Sequence, residues 1–188
     1  MQHGGKGKKI FHVDLQKMID EDRAKRFLKR LKKSFRFKLF LLTRLPLALL
    51  AGLRLEEAVL DKTVISIPFT YFSKNPFRST YFAALSMAAE MSTGIPGFVF
   101  VMAADKPISM LLTDMEGQFS KKAVGRTYFS SEDGWLVREA VARASESTEA
   151  QTVWVRSIGR DSEGKEICRS RFHWSFKAKK KPLQGNEG

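Results

Sequence analysis

Arg78-Ser-Thr-Tyr-Phe-Ala-Ala-Leu-Ser-Met-Ala-Ala-Glu-Met-Ser-Thr-Gly94 is the stretch on which the reading of this chain turns. From Ser79 to Ala104 there is no Lys, Arg, His or Asp, and Glu90 is the one carboxylate. Ala83, Ala84, Leu85, Met87, Ala88, Ala89 and Met91 run all the way round a helical wheel, the pattern of a helix wrapped by the rest of its domain. An ionised carboxylate in such a place is costly unless paired or solvated. Two readings of Glu90 follow: a catalytic carboxyl, or a group that reaches the surface or pairs with an Arg from another segment. Ser79 or Thr80 is the expected N-cap. Gly94 and Gly97, with Pro96 between them, are expected to end the helix.

Outward from this stretch, 188 residues with 43% hydrophobic content and 15 Phe suit one globular domain with some decoration. The single Cys168 excludes an internal disulfide framework, and with no visible signal peptide this points to a cytoplasmic setting. His3, His12 and His173 with that one Cys give no metal-ligand spacing, so neither metal nor cofactor is expected. Of the net charge of +13, residues 1–44 hold 14 Lys or Arg against four carboxylates, a surplus of 10 that leaves the remainder only mildly basic. A basic arm on a near-neutral domain disfavours nucleic acid as substrate. It suggests an appended surface for an anionic partner.

Residues 1–12 are polar and glycine-bearing, and disorder is expected there. From Asp14 to about Leu50 the pattern is helical, with Leu28, Leu31, Phe35, Leu39 and Leu42 at three- and four-residue steps and Lys25, Lys29, Lys32 and Arg36 elsewhere. This stripe is expected to pack on the domain. The alternative is peripheral contact with the inner membrane through residues 23–38. After Gly52 the period becomes two: a strand over 64–71 with Leu53 to Leu60 as hairpin partner. Phe98 to Ala103, a short apolar run, reads as a buried strand. Further strands are expected over 108–119, 124–130, 152–158 and 165–177, with a second helix capped by Ser130 or Ser131 and carrying Trp135, Leu136, Ala140 and Ala144 on its apolar side. In the last strand Cys168, Ser170, Phe172, Trp174 and Phe176 share a face. The domain organisation is therefore a basic helical extension (1–44), a core domain (45–178) and a loose tail (179–188).

The order of helical arm, hairpin, long buried helix and antiparallel strands resembles the hotdog fold, an α+β architecture whose antiparallel sheet wraps a long central helix. Leu45-Pro46 onward to about Ala178 is similar to the bacterial hotdog group DUF4442, relatives of the PaaI-like acyl-CoA thioesterases. In the PaaI-like pattern an Asn precedes His-Gly-Gly by six residues, and an Asp or Glu follows that His by nine. Asn75, Tyr81 and Glu90 reproduce both spacings, while Tyr81-Phe82-Ala83 stands where the family has His-Gly-Gly.

The resemblance implies a thioesterase acting on an acyl-CoA or an acyl-carrier protein. Glu90 would be general base on water or, less readily, nucleophile. Backbone N–H groups of Phe82 or Ala83 at the helix start would bind the oxyanion. Asn75 would orient water or carbonyl, and Tyr81 would contribute a hydroxyl. Met87, Met91, Leu85 and Phe98 are candidates for the acyl tunnel or for plain core packing, and Arg126, Arg156, Arg169 and Arg171 for the coenzyme phosphates or for solvated strand faces. It also implies a homodimer, or a dimer of dimers, with sites at the subunit boundary. Two other functions remain open. In one, Tyr81 and Phe82 close the oxyanion site and the protein binds acyl groups without turnover; in the other it is a membrane- or nucleic-acid-associated regulator acting through residues 23–38 of the basic helix. A dehydratase is disfavoured, because the hydratase branch pairs an Asp with a His and no His lies near the central helix.

Overall fold

The computed structural model describes residues 18–179; the expectations for residues 1–12 and for the tail beyond 179 fall outside them. Helix α1 (Glu21–Leu31) starts at Asp20, whose side chain accepts from the Arg23 N–H at 2.8 Å, and carries Glu21 and Asp22 in its first turn and Lys29 and Arg30 in its last, so both ends suit the helix dipole. Lys33, in extended conformation, breaks the run, and α2 (Ser34–Arg44) begins. Leu45 leaves the helical region ahead of Pro46, as a residue before proline tends to do, and α3 (Pro46–Leu50) follows.

Strands β1 (Arg54–Ala58) and β2 (Thr63–Ile67) form the expected hairpin, with β2 stopping before Pro68 rather than running on to Tyr71. Then come helix α4 (Phe82–Ala103), β3 (Ile108–Phe119), β4 (Thr127–Ser131), helix α5 (Gly134–Glu146), β5 (Gln151–Arg160) and β6 (Glu166–Ala178). The six strands make one antiparallel sheet in the order β1-β2-β4-β5-β6-β3. In β6 the side chains of Cys168, Ser170, Phe172, Trp174 and Phe176 are buried while Arg169, Arg171 and Lys177 are exposed, the alternation read from the sequence. The α+β hotdog architecture with an N-terminal helical extension is thus present.

Helix α4 differs from expectation at both ends. Its N-cap is Tyr81 rather than Ser79 or Thr80, because Thr80 still belongs to the preceding loop, donating its N–H to the Ala123 carbonyl at 2.8 Å. At the other end Gly94, Pro96 and Gly97 do not stop it. The helix runs on to Ala103, and Phe98 to Ala103 is its last turn and a half rather than a strand. Buried helix and buried strand look alike in a short apolar run. The glycines serve close approach: a Cβ on Gly94 would lie 3.1 Å from Glu90 Oε1 and 3.3 Å from the Trp174 ring, and one on Gly97 would lie 2.6 Å from Met110 Cε. By length and composition α4 resembles a membrane span, yet most of its apolar surface is covered by sheet and by α5. The N-cap of α5 is Asp133, not Ser130 or Ser131, since Ser131 ends β4; its inner face is Val137, Ala140, Val141 and Ala144, with Trp135 turned outward.

The arm also departs from expectation. Ala24, Leu28 and Leu31 of α1 are buried, but the break at Lys32-Lys33 shifts the phase, and in α2 Phe37 and Leu41 face the domain while Phe35, Leu39 and Leu42 face solvent. Phe27 and Phe40 pack their rings on Phe98 at centroid distances of 5.5 and 5.7 Å. Asp20 N–H donates to the Ala103 carbonyl at 3.1 Å, and Glu21 pairs with Arg138 of α5, so the arm is seated on the far end of α4.

Candidate active site

Along α4 one stripe stays partly open: Ala83, Ser86, Met87, Glu90 and Gly94, at helical steps of three and four. Glu90 occupies its centre. Burial pushes its carboxyl up to about 7, and no cation or hydrogen-bond donor among the described residues offsets that shift. Its Oε1 lies over Gly94, beside the edge of the Trp174 indole. The indole is itself oriented: its Nε1 donates to Thr93 Oγ1 at 3.0 Å, and Thr93 Oγ1 donates to the Glu90 carbonyl at 2.9 Å. One turn before Glu90, the buried Ser86 hydroxyl has no partner among the described residues. A carboxyl raised toward neutrality by desolvation, with no salt bridge among the described residues, suits the taking and returning of a proton.

At the start of α4 the N–H groups of Ala84 and Leu85 donate to the Tyr81 carbonyl, whereas those of Phe82 and Ala83 find no acceptor among the described residues. These are the orphan donors of a helix N-terminus, where the dipole favours negative charge. An open pocket of about 490 Å³ lies here, bounded by Asn75, Tyr81, Phe82, Leu85, Phe119 and the Lys121-Lys122 pair. The ring of Phe82 stands 4.9 Å from Tyr81 and 6.2 Å from Phe119. Asn75 has its Oδ1 occupied by the turn, accepting from the N–H groups of Phe77 and Ser79 and from the Ser79 hydroxyl, which leaves its amide NH₂ without a partner among the described residues.

Helix start and Glu90 are eight residues apart, about 12 Å along the axis at 1.5 Å per residue, and the carboxyl leans toward Gly94, away from that start. One carbonyl group does not reach both within a single chain. Met87, one turn before Glu90, is half-buried on the same stripe and Met91 is buried in the core, whereas Phe98 lies two turns further on, under Phe27 and Phe40. Arg126 is engaged elsewhere, donating to the Ser66 hydroxyl at 2.9 Å. Arg156 is held by Asp133 through its N–H, Nε and Nη2, Arg169 pairs with Glu166 and Arg171 with Glu116; all three sit on the sheet face turned away from α4. Among the described residues no three His, Cys, Asp or Glu come together as metal ligands. The sequence does not single out Lys121-Lys122, Phe119, Ser86 or Trp174 as site residues; only the Lys pair carries a local signal, a cationic link between the strands expected over 108–119 and 124–130.

No family model matches the chain, and no curated protein matches it either. Solved structures do. A probable thioesterase of Pseudomonas aeruginosa superposes with a TM-score of 0.63 at 17% identity, covering 80% of this chain and 99% of that one. A putative thioesterase of Shewanella oneidensis gives 0.59 at 9% identity, with 80% and 97% covered. A thioesterase of Haemophilus influenzae gives 0.54 at 13%, with 80% and 92% covered. At such identities the likeness speaks for the fold, and it agrees with the strand order and central helix described above: this is a hotdog-fold protein.

Proposed function

We propose that the protein hydrolyses a thioester of coenzyme A or acyl-carrier protein, as a homodimer whose subunits share each site. The observation that carries this reading is Glu90, a solitary half-buried carboxyl raised to about 7 by desolvation on the central helix. Glu90 takes a proton from water, and the resulting hydroxide attacks the thioester carbonyl carbon. The oxyanion is held by the N–H groups of Phe82 and Ala83, with the Tyr81 hydroxyl and Asn75 amide beside it. The carbon–sulfur bond then breaks, the proton returns from Glu90 to the departing thiolate, and acid and thiol leave.

Two features support a second copy. The helix start is too far from Glu90 in one chain to act on the same carbonyl. β3 ends the sheet with twelve residues, and Met115 and Phe119 on its helix-side alternation remain exposed beside the open stripe of α4, a long unpaired edge of the kind proteins cover. A dimer of dimers is a further extension of the same reading. The acyl chain is assigned to Leu85, Met87 and Met91, with Phe98 outside it, and the carrier phosphates to Lys121 and Lys122 rather than to Arg126. Placement in the DUF4442 and PaaI-like group rests on the Asn75, Tyr81 and Glu90 spacing, and a cytoplasmic setting on there being a single cysteine, Cys168.

The test is thiol release from short, medium, long and aromatic acyl-CoAs by wild type and Glu90→Gln. A loss of about 10²- to 10⁴-fold in the variant is expected of a general base. An unchanged rate removes Glu90 from the chemistry. The second reading, acyl binding without turnover, is favoured by the rings of Tyr81, Phe82 and Phe119 crowding the helix start. Saturable acyl-CoA binding with no thiol release by wild type selects it.

A further inference from the structure

Helix α2 is apolar on two faces, one seated on the domain and the other turned outward. Phe37 and Leu41 are 3% and 0% exposed against the domain, while Phe35, Leu39 and Leu42, four and three residues apart on the opposite side of the wheel, are 77%, 48% and 58% exposed. Leu45, Leu47 and Leu50 prolong the exposed apolar surface into α3. Soluble proteins rarely leave such a continuous patch uncovered unless it binds something.

The charge around it says what. Between Arg23 and Leu55 the chain has 11 Lys or Arg and no Asp or Glu. Lys25 pairs with Glu21 and Arg26 with Asp20, but Lys29, Arg30, Lys32, Lys33, Arg36, Lys38 and Arg44 form no ion pair among the described residues. Arg36 and Lys38 fall on the two flanks of the Phe35–Leu39–Leu42 ridge, and Lys32-Lys33 at its head.

We propose that this ridge docks the protein on a membrane surface containing anionic lipid, lying in the interface with Phe35, Leu39 and Leu42 among the acyl chains and the flanking cations on the headgroups. An apolar ridge collared by unpaired cations matches such a surface in both respects. A second copy would bury the ridge but bring two basic arms together. A nucleic acid would meet the cations but leave the ridge in water. The contact thereby moves from residues 23–38 as a whole to residues 35–50, since Ala24, Leu28 and Leu31 already face the core. It is independent of the thioesterase reading.

The experiment is flotation of the full-length protein with vesicles of pure phosphatidylcholine and with vesicles carrying about 30% phosphatidylglycerol. Wild type is expected to float with the anionic vesicles only and to be released by about 0.5 M salt, where screening is short-ranged. Leu39→Ser/Leu42→Ser, and separately Lys32→Gln/Lys33→Gln/Arg36→Gln/Lys38→Gln, are each expected to weaken binding at least about tenfold with unchanged circular dichroism. If a ridge variant misfolds, Phe35→Trp replaces it: its added emission is to shift blue with anionic vesicles. Failure of wild type to float overturns the proposal, as does flotation that both variant sets leave unchanged. A fall in the lipid-free oligomeric mass caused by the ridge variant, without flotation of wild type, assigns the face to a second copy. Duplex DNA binding that depends on the cations alone, again without flotation, assigns it to nucleic acid; either result overturns the proposal.

Discussion

Glu90 couples stability to pH as well as chemistry. Its carboxyl is raised from an ordinary 4.5 to about 7 in the folded chain, so between those values the native state holds a proton that the unfolded state has released. Stability therefore falls as pH rises through this window, is fully reduced above about 7, and is unaffected below about 4.5, where both states are protonated. The span corresponds to about 3 kcal/mol at 1.36 kcal/mol per pH unit. Glu90→Gln lacks this slope, so in urea melts its stability is expected to gain on wild type by most of that amount between pH 5 and pH 8. Thiol release by wild type is expected to rise as pH passes through about 7 and the base ionises. Gly94→Ala probes the same site differently: its Cβ meets Oε1 and Trp174 at 3.1 and 3.3 Å. The helix gains up to about 1 kcal/mol of propensity against that crowding, so the melting midpoint changes little, while the displaced carboxyl is expected to slow turnover on the order of tenfold or more.

At the level of elements, the arm provides the sharpest contrast. Leu41→Ala, on the seated face of α2, is expected to cost about 2–5 kcal/mol, whereas Leu39→Ala two positions earlier is expected to stay within about 0.5 kcal/mol. Comparable losses at both positions in thermal or urea melts would show that the helix is seated the other way round. The sequence registered the amphipathicity of α1 and α2 but carried one stripe through both, because Leu28, Leu31, Phe35, Leu39 and Leu42 keep step numerically. The break at Lys32-Lys33 resets the phase, and Phe27 and Phe40 closing on Phe98 fix the new one. Strands were easier. In β6 and in the stretch that holds β2, two-residue alternation is visible in the chain itself, and β3 is legible at its full length.

For the whole molecule, a shared site predicts complementation. Glu90→Gln removes the base and Ala83→Pro removes one oxyanion donor at a helix position that tolerates proline; each variant alone is expected to lose thiol release. Mixed after denaturation and refolding, they are expected to regain part of it, because some dimers hold one intact site. No regain by a mixture that refolds to native mass would place base and donors in one chain. By itself, the sequence determined the α+β class and the order of elements apart from the strand expected over Phe98 to Ala103, the apolar central helix with its solitary Glu90, the alternating last strand and the basic character of the arm. All of these are set by side-chain type and spacing within one segment. Only the tertiary structure decided that α4 runs through Gly94, Pro96 and Gly97, and that α2 turns Phe35, Leu39 and Leu42 outward. It also showed that Arg126 and Arg156 are already engaged and that Lys121-Lys122 borders the helix start. The physical reason is that glycine and proline end a helix where water can replace the lost contacts, but not where sheet side chains pack into the space they leave. Likewise, which face of an amphipathic helix is buried depends on the surface that receives it, and residues far away in the chain build that surface.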